Sequence, residues 1–275
     1  IQYNATFLAT YVESGIRRVT IAEKLRKIPL AFFGKKDLSD LTSTIMADCE
    51  RMETASSHWI PELIGSCIST ALVALSLFAF DWRMAISALW VLPISFVIVA
   101  SSGNVQKNIS RTQMKYKMDC ADGIQECLET IRDLKSNNVQ DEYLAGLNKK
   151  IKAVEKHAII AELGTAVFVA TAQMILKLGI ATVALTGGVL LAKGSIDVLT
   201  FFMFLLLVSR IYDPMQVSLQ NLAAIITTDV QCERMNEILL HKVQSGTKEM
   251  NNKGYDIEFA NVGFAYDAGE IVLND

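Results

Sequence analysis

The sequence predicts an all-α polytopic membrane protein with long helices outside the bilayer, and three observations carry that prediction. First, Leu63 to Phe80 is a run of eighteen residues without a charge, and Met84 to Gly103 is another of twenty. About 20 apolar residues are what a helix needs to cross a bilayer. Only Asp81-Trp82-Arg83 separates the two runs, so they read as a transmembrane hairpin with its turn at one membrane face. Second, two more apolar windows follow, Leu163 to Ala192 and Val198 to Ile226, joined by the tight polar turn Lys193-Gly194-Ser195. Third, the stretch between the window pairs, Asn104 to His157, is polar and helical in period. Helices of that polarity do not sit in lipid; they must project into water and return. A pair of buried helices in a soluble protein fits less well, because such helices are shorter and carry a polar stripe.

Composition agrees. The chain of 275 residues is 51% hydrophobic yet still 20% charged, which suits membrane spans with large water-exposed parts. A net charge of −3 excludes a generally basic nucleic-acid binder, so no nucleic-acid partner is expected. Cys49, Cys67, Cys120, Cys127 and Cys232 form no CxxC pair and are odd in number. They read as reduced, small apolar residues rather than a disulfide framework or a zinc site. His58, His157 and His241 match no ligand spacing, and no metal site is expected.

Taken in order, Ile1 to Gly15 looks like the tail of a membrane helix. Arg17, Arg18, Lys24, Arg26 and Lys27 then mark its exit on the positive side. Pro29 interrupts that helix, and Leu30 to Gly34 makes a short apolar elbow. Asp37 to Leu41 reads as a short helix, and Ile45 to Trp59 resumes a longer one that feeds through Pro61 into the first full span. Pro93 predicts a kink in the second span, since a proline frees a carbonyl one turn earlier. Ser136-Asn137-Asn138 splits the polar stretch into two helices, each roughly 30–50 Å long at 1.5 Å per residue. The third window is long enough to tilt or to reach past the bilayer. Beyond Thr227 to His241 comes a linker rich in Lys, Asn, Gly and Ser, and then Ile257, Phe259, Val262 and Phe264 alternate as in a strand. The expected organisation is therefore 1–241 transmembrane, 242–254 linker and 255–275 the edge of a further, truncated domain.

Basic residues set the topology. Arg83 and Lys193 lie in the two short turns and Lys177 and Arg210 within spans; the remainder of the 26 Lys and Arg lie on the other side. The positive-inside rule then places the long helical excursions and the C-terminal strand in the cytoplasm of a multi-pass plasma-membrane protein.

Four stretches together resemble ABC transporters of exporter fold. Lys24 to Met52 (KLRKIPLAFFGKKDLSDLTSTIMADCERM) is similar to the family's first intracellular loop, keeping Pro29, Phe32, Phe33, Lys35, Leu41 and Asp48. It departs with Gly34 for the usual acid, Ser39 for a glycine and Asp40 for a glutamate. Gly123 to Leu144 resembles the second intracellular loop. Phe201 to Leu239 resembles the last membrane helix and its exit, with Pro214, Leu219 and Arg234 in place. Ile257 to Asp275 resembles the opening of the nucleotide-binding domain.

The resemblance implies that the family's first membrane helix and the outer part of its second are not in this chain. It also implies ATP and Mg bound mostly by a nucleotide-binding domain, of which only Tyr266, the adenine-stacking A-loop residue, would stand here. No G-x-x-x-x-G-K-[ST] phosphate loop occurs in the 275 residues, so this stretch carries no ATPase motif of its own. By the same analogy, Asp37, Leu38, Ser39, Asp40 and Leu41 belong to a first coupling helix (Asp37 to Ser43). Lys135, Ser136, Asn137 and Asn138 belong to a second (Lys135 to Gln140). The implied partners are the lipid bilayer, a second half-transporter as homo- or heterodimer, the chain's own and its partner's nucleotide-binding domains, and a small-molecule substrate.

Charges in lipid are costly and usually face a cavity or one another. Arg210 and Asp213 stand at i,i+3, which suits either an ion pair at the Pro214 kink or a cavity lining. Lys177 has no local acid, and a cationic cavity would suit an anionic or chelating substrate. Gln173 and Tyr212 are expected on the same path. The functional readings are three. Export of a small molecule, peptide or lipid comes first, and import of a siderophore or metal chelate by the same fold second. The third is a membrane-anchored signalling or interaction protein, which would need a coiled-coil seam that Asp119, Asp122, Lys135 and Asn138 break. A membrane enzyme would need a reactive motif such as HExxH, and the sequence has none.

Overall fold

A computed structural model describes residues 4–34, 36–243, 245, 254, 262–265 and 271–273. After a π-helical turn at Asn4–Leu8, α1 (Ala9–Leu25) ends before Pro29, and α2 (Leu30–Phe33) makes the apolar elbow. In the next segment Ile45 to Trp59 feeds through Pro61 into the first span as expected, but the short helix expected at Asp37 to Leu41 is continuous with it. α3 (Leu38–Ser43), α4 (Cys49–Thr54) and α5 (Ile60–Phe80) are not separate helices. π turns at Thr44–Asp48 and Ala55–Trp59 join them into one rod of 43 residues. Leu38–Ser43 is thus the start of a rod whose far end holds the first apolar window. Pro61 is tolerated because π turns already relax the hydrogen-bond ladder there.

Asp81 makes the hairpin turn. Its extended backbone ends α5, and its carboxylate caps α6 (Trp82–Leu89) by accepting from the Arg83 and Met84 amides at 2.8 and 3.1 Å. The helix breaks at Trp90 before α7 (Val91–Ser101). Pro93 explains the break: it has no N–H for the Leu89 carbonyl. α8 (Gly103–Glu129) and the short α9 (Ile131–Ser136) carry the chain away from the apolar windows. It turns at Asn138, which takes φ +54°, with Val139 N–H donating to Leu134 O at 3.1 Å and Asn138 N–H to Lys135 O at 3.3 Å. That is a Schellman cap, in which asparagine is among the few residues to accept a left-handed backbone.

α10 (Gln140–Ala192) then returns without a break for 53 residues, about 80 Å at 1.5 Å per residue. Its first half lies against α8, tied by Lys150 to Asp119 at 3.1 Å, by Tyr143 Oη to Gly123 O at 3.0 Å and by the stacked rings of Tyr116 and His157. A second Schellman turn at Gly194 (φ +68°) leads through the Asp197 cap into α11 (Val198–Leu239). Proline at 214 does not end α11.

Among the described residues four helices are long and apolar enough to cross a membrane, and they hold the four expected windows. The bundle they form has one apolar core. Met84, Ala88 and Val91 meet Ala172, Leu176 and Val183 of α10 and Phe204, Val208 and Leu219 of α11. Ile64, Ile68, Leu72 and Leu75 of α5 stay exposed, as lipid-facing residues should. A second cluster lies beyond the apolar windows, where Ile21, Ile28, Phe32, Leu41 and Cys49 pack on Met235 and Ile238. Near the C-terminus, Phe264–Ala265 pairs antiparallel with Ile271–Leu273.

Candidate functional site: a polar cavity at the membrane boundary and the joint beside it

A cavity of about 420 Å³ opens between α8, α10 and α11, with Arg51 of α4 at its edge. Its position follows from the windows. Gln106 lies three residues past the end of the second window, Glu162 just precedes the third, and Thr227 just follows the fourth. The cavity therefore straddles the line where apolar helix gives way to polar helix. Ile109, Ala166, Val169 and Ala223 form apolar wall, while Gln106, Gln113, Gln173 and Gln220 supply amides. Arg51 and Glu162 add one charge of each sign.

Gln106 is the most constrained of these. It is 1% exposed, its amide nitrogen donates to Ser102 Oγ, and its carbonyl oxygen has no partner. A buried amide oxygen left unpaired costs about 1–3 kcal/mol, and Gln106 is among the residues around the cavity. Gln173 donates to the Gln216 backbone carbonyl at 3.2 Å, which holds it at the wall.

The other residues expected on the path are elsewhere. Tyr212 is 2% exposed and donates to Ala88 O at 2.6 Å, so it locks α11 to α6 and does not line this cavity. Arg210 and Asp213 are exposed, and no ion pair joins them among the described residues. Lys177 is exposed too and lies apart from the cavity. Helical spacing alone does not say which neighbour covers a helix face.

Below the cavity, the joint gathers residues far apart in sequence. Arg234 of α11 reaches Asp40 at 2.7 Å and Asp48 at 3.2 Å, and also donates to Thr44 Oγ1 at 3.0 Å. Lys36 bridges Glu237 at 2.8 Å and Asp40 at 3.2 Å, and Ser39 donates to Asp122 of α8. α11 is further tied to α8 by Lys107 to Asp229 at 2.6 Å and by a two-pronged Arg111–Glu233 pair. Burial pushes the Asp48 carboxyl up to about 6, against the pull of Arg234 and Lys117. Burial and the neighbouring Asp37, Asp40 and Asp119 push Asp122 up as well.

Of the two expected coupling segments, Asp37 to Leu41 is thus pinned to both α8 and α11. Its Leu38 stays exposed, as do Leu30 and Phe33 of α2. Lys135, Ser136, Asn137 and Asn138 are exposed at the α9–α10 turn. Tyr266 lies outside the described residues. No group of three or more His, Cys, Asp or Glu is placed to hold a metal among the described residues.

Comparison with known proteins fits this architecture. Residues 6–215 match the family model described as ABC transporter transmembrane region. An "ATP-dependent lipid A-core flippase" of Syntrophus aciditrophicus is 21% identical over 98% of this chain and 45% of its own length. A protein of the same description from Legionella pneumophila subsp. pneumophila is 21% identical over 99% of this chain and 47% of its own. A "Fatty acid ABC transporter ATP-binding/permease protein" of Mycobacterium tuberculosis is 22% identical over 94% and 41%. The chain spans about half the length of the curated relatives it matches. With three quarters of its length matched, the chain belongs to the family of ABC transporter transmembrane regions, a multi-pass helical bundle of exporter type.

Proposed function

We propose that this chain forms one half of the substrate pathway of an ATP-driven exporter, and that its cargo is an amphiphile. The boundary-straddling cavity carries the reading. Its amides face a polar head, its alanine and valine wall faces an apolar body, and Gln106 among its residues carries an unpaired amide oxygen. The similar proteins named above for lipid A-core and for fatty acid support an amphiphilic cargo. Import of an anionic chelate would call for a cationic cavity. Here Arg51 is matched by Glu162, while Lys177 and Arg210 lie elsewhere, so export is favoured.

In this reading the extensions lie in the cytoplasm. The exposed Leu30, Phe33 and Leu38 dock on the chain's own nucleotide-binding domain, and the Asn138 turn docks on the partner's. ATP and Mg sit in those domains, with Tyr266 stacking on adenine. Closure of the cassettes moves the tips, and the stiff rods carry that motion to the cavity.

The test uses the complete transporter in liposomes, with transport and substrate-stimulated ATPase measured for a lipid, a fatty acid and a ferric siderophore. A lipid or fatty acid should stimulate. Gln106→Leu should raise its half-saturating concentration about fivefold, the worth of one hydrogen bond of about 1 kcal/mol. Stimulation by the siderophore alone would replace this reading with import.

A further inference from the structure

Where α4 packs on α11, two sulfur–sulfur contacts lie one helical turn apart. Cys49 Sγ lies 3.8 Å from Met235 Sδ, and Cys232 Sγ lies 3.3 Å from Met52 Sδ. The sequence shows how they meet. The same four residues, Cys-Glu-Arg-Met, occur at 49–52 and again at 232–235. A spacing of three puts cysteine and methionine on one helix face. The two faces oppose each other in reverse order, so each thiol meets a thioether. Cys49 and Met235 are buried at 0% and 4% exposure, while Cys232 and Met52 are half-buried and form the side open to entry.

We propose that Cys49, Met52, Cys232 and Met235 form a binding site for a soft monovalent metal ion, Cu(I) being the natural occupant. Thiolate and thioether donors together select Cu(I) over harder ions. A tetrahedral ion with metal–sulfur distances of about 2.3 Å sets its ligands about 3.8 Å apart. That matches the first pair as it stands, and the second needs to open by about half an ångström. On uptake both thiols lose their protons to solvent, giving a bis-thiolate, bis-thioether complex of charge −1. Burial pushes both thiols up, and Asp48, Glu53, Asp229 and Glu233 add to it, while Arg17 and Arg18 pull the other way, so the metal must displace both protons against that bias.

The test is anaerobic titration of the detergent-purified full-length protein with Cu(I) held by bicinchoninate, following loss of the coloured chelate. The protein should take up a single Cu(I) per chain, and so should a variant in which Cys67, Cys120 and Cys127 are all serine. Cys49→Ser with Cys232→Ser should abolish uptake. Met52→Leu with Met235→Leu, which keeps the volume and the fold, should weaken it at least about tenfold. No uptake by the unaltered protein, uptake that survives the Cys49/Cys232 change, or uptake lost with the other three cysteines would each overturn the site. Uptake indifferent to the two methionines would reduce it to a thiol pair and overturn the four-sulfur assignment.

Discussion

Inside the apolar windows, α10 meets its neighbours at glycines. Gly179 sits so close to α11 that a Cβ there would lie 2.0 Å from Tyr212 Oη, and one on Gly187 would lie 2.5 Å from the Phe201 ring. Several polar contacts go to backbone carbonyls, Ser95 to Ala172 at 2.9 Å, Tyr212 to Ala88 at 2.6 Å and Thr182 to Ser87 at 2.7 Å, and Trp90 Nε1 donates to Thr182 Oγ1 at 3.2 Å. Beyond the windows, α11 meets α3 and α4 through Arg234, two carboxylates and a layer of apolar and sulfur side chains. The difference follows from the solvent. Lipid gives apolar groups no reason to associate, so helices there hold by close approach and interhelical hydrogen bonds. Water rewards burial, and charged partners fix which surfaces meet. The bundle is thus built for a tight fit, and the joint for a defined but separable contact.

The largest expected effect comes from breaking the joint. Arg234→Met should destabilise by about 3–5 kcal/mol, because Asp48 stays buried with its counterion gone. Thermal unfolding in detergent reads this. A change under about 1 kcal/mol would mean that the joint is a surface contact. Next is the bundle. Gly179→Ala should cost about 1–3 kcal/mol through overpacking against Tyr212. Tyr212→Phe, which removes only the bond to Ala88, should cost about 1 kcal/mol. Combining the two should relieve the alanine variant only in part, because the Tyr212 ring carbon at 2.7 Å and a Val91 methyl at 2.8 Å remain in the way.

Much of this was legible from residues alone, and the limits are instructive. Asp81, Asn138, Gly194 and Pro93 act within their own turn of chain, so sequence placed both hairpin turns, the split of the polar stretch and the break in the second span. Lys177, Arg210 and Asp213 were also conspicuous, as charges within apolar windows, yet the structure leaves them exposed. Conspicuousness in sequence measures the cost of burial and says nothing of which neighbour offsets it. The joint shows the converse. Arg234 and Asp40 are ordinary charges in polar helices, and their meeting joins positions 194 apart. Gln106 gave no signal either, since a glutamine past the end of a span is common. The repeated Cys-Glu-Arg-Met run was the one readable clue to the sulfur cluster, and only the antiparallel packing of α4 on α11 gives it meaning.

The last effect is a slope with pH, and it distinguishes the joint from the bundle most cleanly. Asp48 carries its proton up to about pH 6 in the folded chain, against 3.8 for the ordinary side chain. Between those values the folded state holds a proton that the unfolded state has released, so stability falls as pH rises from about 4 to about 6 and is level above. The cause is burial that Arg234 does not fully offset: its Nε lies 3.2 Å from Asp48 Oδ2, yet that oxygen has no hydrogen-bond partner. Asp48→Asn should therefore flatten this part of the pH profile in thermal unfolding. Tyr212→Phe should lower the profile without changing its shape, because no acid takes part in the Tyr212 contact. A slope that persists in Asp48→Asn would move the titrating group to Asp122, which burial and its acidic neighbours also raise.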